Sequence, residues 1–260
     1  LGVLQADDFP AVGNFQSKIE LKIQAKDLAD LIRSTQFAMA HQDVRYYLNG
    51  LLLELRGDTL RAVATDGHRL ALSERPLPEN QTVNLQIIVP RKAVQEMQRM
   101  LAHLEEEVRL VIGENHLRLE AAGQSLTAKL IDGKFPDYQR VIPSKGEKHV
   151  VADREALRSA FNRTSILSNE KFRGVRLVLS NNLLKAMTHN PEQEEAEEDL
   201  EVTYAGADLE IGFNVSYLLD VLSVLESSDV SIELSDPNSS AVLFSPTDER
   251  ARYVIMPMRL

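Results

Sequence analysis

Thr65-Asp66-Gly67-His68-Arg69-Leu70 is the stretch whose residue types come nearest to a catalytic arrangement. An aspartate two residues before a histidine can orient an imidazole for general-base work. Two other readings of the same residues stand beside that one. Asp66-Gly67 is a hairpin-turn signal. As a binding loop, Gly67 would let a second backbone approach closely, with His68 and Arg69 offering donors beside apolar Leu70. The rest of the chain supplies no companion for a general base. It has no Gly-x-x-x-x-Gly-Lys-Ser/Thr phosphate loop, no Gly-x-Gly-x-x-Gly and no Gly-x-Ser-x-Gly elbow. The six histidines, at 41, 68, 103, 116, 149 and 189, lack metal-ligand spacing. Cysteine is absent, which excludes disulfides, zinc-thiolate sites and cysteine nucleophiles. The expectation is a protein that is not an enzyme and needs neither metal nor cofactor.

Composition narrows the class further. The 260 residues suffice for two domains, and 43% apolar with 26% charged residues is the balance of a soluble globular protein. No apolar run approaches the roughly 18 residues that span a bilayer. The start, Leu-Gly-Val-Leu-Gln-Ala-Asp-Asp, lacks the features of a signal peptide and reads as the end of a strand, so the chain is expected to be a fragment. A reducing cytoplasm suits the lack of cysteine. A net charge of −10 argues against gripping nucleic acid with the whole surface, but allows a local basic face.

The elements that must position any site read as a repeat. Strands are expected at 16–24, 45–55, 60–64, 70–72, 84–89, 108–112, 117–120 and 125–131, with helices at 25–39 and from Pro90, the latter striped by Ala93, Val94, Met97, Met100 and Leu101. The order then recurs. A strand at 148–151 leads to a helix capped by Asp153 and running through Phe161. Strands follow at 175–179, 183–187, 200–204 and 209–213. Asn214 caps a helix striped by Tyr217, Leu218, Val221, Leu222 and Leu225, and strands at 230–234, 241–244 and 252–256 complete the series. The helix openings Pro90 and Asn214 lie 124 residues apart, and Phe9-Pro10 recurs as Phe135-Pro136 after 126.

Between the halves lies Asp132–Pro143, where Gly133, Pro136 and Pro143 break regular structure while Phe135, Tyr138, Val141 and Ile142 remain apolar. The acidic run 190–201 reads as a solvated loop or strand edge, with a partner-binding patch as the alternative. The tail Tyr253–Leu260 is apolar to its last residue. Val254 and Met256 can complete a strand, while Met258 and Leu260 need a surface to line, and methionine suits a groove that takes varied partners. Arg33, Arg91, Lys92, Arg99, Arg154 and Arg158 fall on the first three helices. They form either an ordinary solvated face or a weakly basic strip for phosphate contact without base readout.

Several long motifs are jointly recognisable: Gln42–Gly50, Ala64–Leu70, Lys134–Tyr138, Ser168–Gly174, Asn190–Glu198, Gly212–Tyr217 and the closing Met256-Pro257-Met258-Arg259-Leu260. In order and along essentially the whole chain, they resemble the bacterial DNA polymerase III beta subunits, the sliding clamps, and proteobacterial members most. The resemblance implies an α+β fold of two tandem DNA-clamp domains, each with two helices packed on antiparallel sheets. These would be the family's second domain at 15–131 and third at 146–260, joined by a connector at 132–145, with 1–14 a remnant of a preceding domain. It implies a processivity factor whose full-length homodimer encircles duplex DNA with its helices lining the hole, in the cytoplasm. The present chain, lacking the first domain, would be a monomer. It also implies a groove between the two domains for short extended motifs of polymerase subunits, the clamp loader and repair proteins. Carried over, that groove comprises Leu48, Thr65, Gly67, His68, Arg69 and Leu70, then Pro136, Arg140 and Val141. Phe172, Asn214, Tyr217 and Ser240 follow, and the tail from Val254 through Ile255, Met256, Pro257 and Met258 to Arg259. Arg33, Arg91, Lys92, Arg99, Arg154 and Arg158 would face DNA.

Overall fold

A computed structural model describes residues 15–79, 83–143 and 146–259. The stretch read as a remnant at 1–14, with Phe9-Pro10, lies outside them, as does Leu260. The first series of elements is β1 (Ile19–Gln24), α1 (Ala25–Arg33), β2 (Gly50–Arg56), β3 (Thr59–Thr65), β4 (Arg69–Pro76), β5 (Leu85–Pro90), α2 (Arg91–Leu101), β6 (Glu107–Ile112), β7 (His116–Ala121) and β8 (Gln124–Lys129). The second is β9 (Lys148–Asp153), α3 (Arg154–Ser165), β10 (Gly174–Ser180), β11 (Leu183–His189), β12 (Glu195–Glu201), β13 (Leu209–Asn214), α4 (Val215–Val224), β14 (Asp229–Leu234), β15 (Ala241–Ser245) and β16 (Asp248–Ile255).

The two series have one topology. Strands β5-β2-β3-β4 and β1-β6-β7-β8 form the sheets of the first; β13-β10-β11-β12 and β9-β14-β15-β16 are their counterparts. All pairings are antiparallel. The join is made by β4 and β16, which pair from Arg69↔Ile255 to Ser73↔Ala251 and fuse two four-stranded sheets into one of eight. Inward residues at period two, such as Ile19, Leu21 and Ile23 of β1, meet the apolar stripes of the helices in the main core. Helix α1 packs on α2 and α3 on α4. Arg33 of α1 donates to the Val224 carbonyl at the end of α4 (3.2 Å), so the four helices run in the lateral order α2-α1-α4-α3.

Some elements differ from the sequence reading. Helix α1 stops at Arg33 rather than reaching Met39, because the Ser34 and Thr35 hydroxyls bond back to the carbonyls of Asp30 and Leu31 (both 2.6 Å). The strand expected from Arg45 begins only at Gly50. Asp43 and Asn49 exchange side-chain and backbone hydrogen bonds (both 2.9 Å) and hold Tyr46–Asn49 as a 3₁₀ turn. The strand expected at 200–204 is instead Glu195–Glu201, so the acidic run itself forms an edge strand. Asp153 and Asn214 cap their helices as expected, accepting from the amides of Ala156 (2.7 Å) and Ser216 (2.9 Å).

A second apolar cluster lies on the other side of the eight-stranded sheet. Leu48, Leu52, Val63, Leu70, Ile88, Val242 and Val254 are covered there together with Phe135 and Tyr138 of the connector. Glu54 is buried among them, only 2% exposed. It accepts from Tyr138 Oη (2.5 Å), Gln86 Nε2 (2.5 Å) and Arg61 Nη1 (3.3 Å), and pairs with Arg56 (3.0 Å). Burial alone would raise its carboxyl, but the bonds from Tyr138 and Gln86 and the charges of Arg56 and Arg61 outweigh it and hold the group below the usual range.

Candidate functional site

The Asp66–Leu70 turn sits at the mouth of the seam between β4 and β16. Gly67 has φ +90°, and a Cβ there would stand 3.0 Å from the Arg45 guanidinium. This position therefore needs glycine. Asp66 accepts from the amides of His68 (2.9 Å) and Arg69 (3.1 Å) and from Arg69 Nε (3.1 Å). Its carboxylate thus closes the turn and holds the arginine. Nothing aims it at the imidazole, and the general-base reading has no geometry behind it. Among the described residues no three His, Cys, Asp or Glu side chains gather as a metal site.

Arg69 was expected to offer donors to a ligand. Its guanidinium is instead taken up within the protein. Nη2 donates to the Phe37 carbonyl (2.9 Å), Nη1 pairs with Asp220 of α4, and the group lies 4.4 Å from the Tyr217 ring centroid. Arg69 thus joins the first series to α4 of the second. Arg33 does the same nearby, pairing with Glu226 (2.7 Å). Asp220 of α4 and Glu226 just beyond its end are each matched by an arginine across the seam.

The expected groove residues separate by burial and by the element that carries them. Leu48, Leu70 and Val254 are buried and form a floor, with Leu70 directly opposite Val254 across the seam. Ile255 does not belong with them. Strand alternation turns it to the other face, where it is fully buried in the main core, so it cannot line the surface. Thr65 is half-buried, its hydroxyl donating to the Arg69 carbonyl (2.6 Å), and His68 is exposed. The tail runs alongside the turn: the Met256 amide donates to the His68 carbonyl (3.0 Å) and the Met258 amide to the Gly212 carbonyl (2.9 Å). Met256 is 38% exposed, Pro257 and Met258 are half-buried, and Arg259 is exposed. On the far wall Asn214 Nδ2 donates to the Phe172 carbonyl (3.3 Å), Tyr217 stands over Arg69, and Ser240 precedes Ala241, the partner of Ile255. From the connector, Pro136, Arg140 and Val141 are exposed, with Arg140 paired to Asp137 (2.8 Å).

The cationic residues of the helices also divide. Arg91 donates to the carbonyls of Met39 (2.6 Å) and Ala40 (3.2 Å), and Arg154 to those of Leu222 (3.3 Å) and Leu225 (2.8 Å), so both brace backbone. Burial lowers Arg91 from its ordinary value. Lys92 and Arg99 are exposed; Arg99 pairs with Glu96 on its own helix, as the half-buried Arg158 does with Glu155. Sequence reasoning missed Phe37, Asp66 and Asp220 as anchors of Arg69. Only the fold brings them together.

Residues 22–137 match the family described as DNA polymerase III beta subunit, central domain, and residues 139–259 match its C-terminal domain. The chain belongs to the DNA polymerase III beta subunit family. Against the beta sliding clamp of Pseudomonas aeruginosa it is 54% identical over 260 residues, all of this chain and 71% of that protein. For the Escherichia coli K12 clamp the identity is 51% with the same coverage. A crystal structure of the P. aeruginosa subunit matches with a TM-score of 0.96 over 98% of this chain and 70% of that one. The Bartonella birtlesii clamp, bound to griselimycin, matches at 37% identity with a TM-score of 0.94, over 100% of this chain and 71% of that one. Sliding clamps are non-catalytic processivity subunits that serve DNA polymerase on DNA, and the two tandem clamp domains with helices packed on antiparallel sheets are their fold.

Proposed function

We propose that this sliding clamp chain docks its partners along the seam where β4 meets β16. The single observation that carries this reading is the exposed tail held beside the Asp66–Leu70 turn by the bond from the Met256 amide to the His68 carbonyl. It supports a groove with Leu48, Leu70 and Val254 as its floor and with His68, Val141, Phe172, Met256 and Met258 as its proposed walls. Clefts between domains favour binding sites. Flexible thioethers suit the Leu or Phe of short extended motifs, such as those of polymerase subunits, the clamp loader and repair proteins. An isolated motif buries little area, so its affinity is about micromolar, and the ring on DNA adds avidity. In a titration calorimeter, Met258→Ala or removal of Met256–Leu260 weakens a synthetic peptide ending Leu-Phe by more than tenfold; unchanged affinity would sink the assignment. Griselimycin, found bound to the P. aeruginosa and B. birtlesii relatives, is a second probe and is expected to bind this chain as well.

The full-length homodimer encircles duplex DNA in the cytoplasm with the helix layer inward, and residues 15–131, 132–145 and 146–260 are a clamp domain, a connector and a second clamp domain. The lateral order α2-α1-α4-α3 supports this reading, since it lines the helices up on one face. Lys92 is the best phosphate contact; Arg99 and Arg158 are held only by Glu96 and Glu155 of their own helices and come next, whereas Arg91, Arg154 and Arg33 brace backbone carbonyls. Lys92→Ala in the full-length ring lowers the salt slope of DNA binding by about one. Arg91→Ala lowers stability first.

A further inference from the structure

Pro90 and Asn214 each end the strand before the second helix of their series, and they pair with Gly50 and Gly174. Positions 124 apart are therefore equivalent: Leu48 and Phe172, Leu52 and Arg176, Val63 and Met187, Ile88 and Gly212. In the first series, Ile131 bonds through its amide to the Ile88 carbonyl (2.9 Å), and the connector then continues over the sheet. Phe135 and Tyr138 close over the cluster that contains Leu48, Leu52 and Val63. In the second series the Met258 amide makes the same bond to Gly212 (2.9 Å). Past it, among the described residues, only Arg259 follows, and the equivalent face of β10 and β11 is open. A cleft of about 360 Å³ remains there, lined by Asn169, Phe172, Gly174, Met187, His189 and Met258, among others. Phe172 is 55% exposed where its counterpart Leu48 is 1%.

We propose that this cleft, which shares Phe172 and Met258 with the groove proposed above, is a docking site adjoining it, and that it takes an aromatic side chain carried on an extended segment of a partner protein. The fold itself indicates the occupant. It covers the equivalent face of its first domain with an extended segment bearing Phe135 before a proline, which keeps the chain extended. The second copy of that face keeps the glycine and substitutes the thioether of Met187 for the valine, and sulfur against an aromatic ring is a favourable contact. Asn169 and His189 at the rim can bond an extended backbone. The inference rests on the docking role proposed above and extends it along the tail. Met256 borders the seam, Met187 borders the cleft, and Met258 lies between them.

The test follows the methyl signals of the six methionines in the 260-residue protein by NMR. One probe is a synthetic peptide of residues 132–143, and the other is the same peptide with Phe135→Ala. The expected result is a saturable shift of Met187 and Met258 with the first peptide, at least tenfold weaker with the second. A Met187 signal unmoved at millimolar peptide overturns the proposal, as do equal shifts from both peptides. A Met187 signal that moves with protein concentration alone overturns it in favour of a second copy of this chain as occupant. The Leu-Phe peptide, read at Met256 in the same sample, separates this reading from the groove. If Met256 shifts while Met187 is silent with every peptide, the groove stands and the cleft falls; the opposite pattern removes the groove and keeps the cleft.

Discussion

Arg69 shows how much of this molecule is decided by single side chains with several partners. One guanidinium meets Asp66, Asp220, the Phe37 carbonyl and the Tyr217 ring, and it joins residues of both domains. Asp66 is largely covered, whereas Asp220 is about half exposed and can be solvated if abandoned. Arg69→Ala is therefore expected to cost about 2 kcal/mol rather than the larger figure of a fully buried pair. Urea unfolding should show it as a lower midpoint, with the two domains beginning to unfold separately. Tyr138 has a comparable role on the other face, because its hydroxyl bonds to Glu54 and receives Arg61 Nη1 (2.7 Å). Tyr138→Phe leaves the buried carboxylate short of a donor and costs about 1–2 kcal/mol. Glu54 has a folded pKa below its unfolded value, so its contribution is present above the ordinary carboxylate range and is lost as pH falls through the folded pKa. Wild type should lose stability on acidification in that window, and Glu54→Gln should flatten the loss. The long-range partnerships were not legible in the sequence: Asp66 lies three positions from Arg69, but Asp220 lies 151 positions from it and Glu54 lies 84 from Tyr138. Ile255 failed for a different reason: a tail read as a lining surface still obeys strand alternation.

The elements were far more legible than their contacts, and the reasons are local. Apolar stripes at helical spacing marked α2 and α4, and Asp153 and Asn214 marked the starts of α3 and α4. Asp153→Ala removes one charge-assisted cap bond and is expected to lower stability by about 1 kcal/mol in thermal or urea unfolding. Asn214→Ala should cost as much and also release the Phe172 carbonyl, so it should alter the cleft beside Phe172 as well. The boundaries that were missed lie where side chains compete with the backbone. Ser34 and Thr35 end α1 early, and the Asp43–Asn49 exchange delays β2. In that loop the Arg45 side-chain hydrogen bond holds the Asp43 carboxyl down at about 2. The acidic run was read as a solvated loop or strand edge, and its alternating exposed charges left the choice between them open. Only the pairing of every residue from Glu195 to Glu201 with β11 identifies it.

At the scale of the molecule, the repeat determines which edges can associate. Within the chain, β4 joins β16. The element equivalent to β4 is β12, and the element equivalent to β16 is β8; both stand at the ends of their sheets. A head-to-tail contact between β12 of one subunit and a β8-like strand of another would repeat the internal seam, and contacts of that kind close rings. The seam works because Leu70 faces Val254 across it. At the matching positions Glu195 of β12 would meet Thr127 of β8, so two copies of this chain have no apolar complement to offer each other. The outward residues Glu195, Glu197, Asp199 and Glu201 also repel a second acidic edge, which is a common protection of open strands. Lys185 relieves part of this charge by pairing with Glu197 and Asp199, but only from within the sheet. The 260-residue chain is therefore expected to sediment as a monomer of 29.1 kDa at tens of micromolar. Replacing Glu195, Glu197, Asp199 and Glu201 together by threonine keeps strand propensity and removes the repulsion, and that variant should dimerise or aggregate through β12. A wild-type chain that dimerises unaided, or a threonine variant that stays monomeric, would show that charge on this edge is not what keeps copies apart.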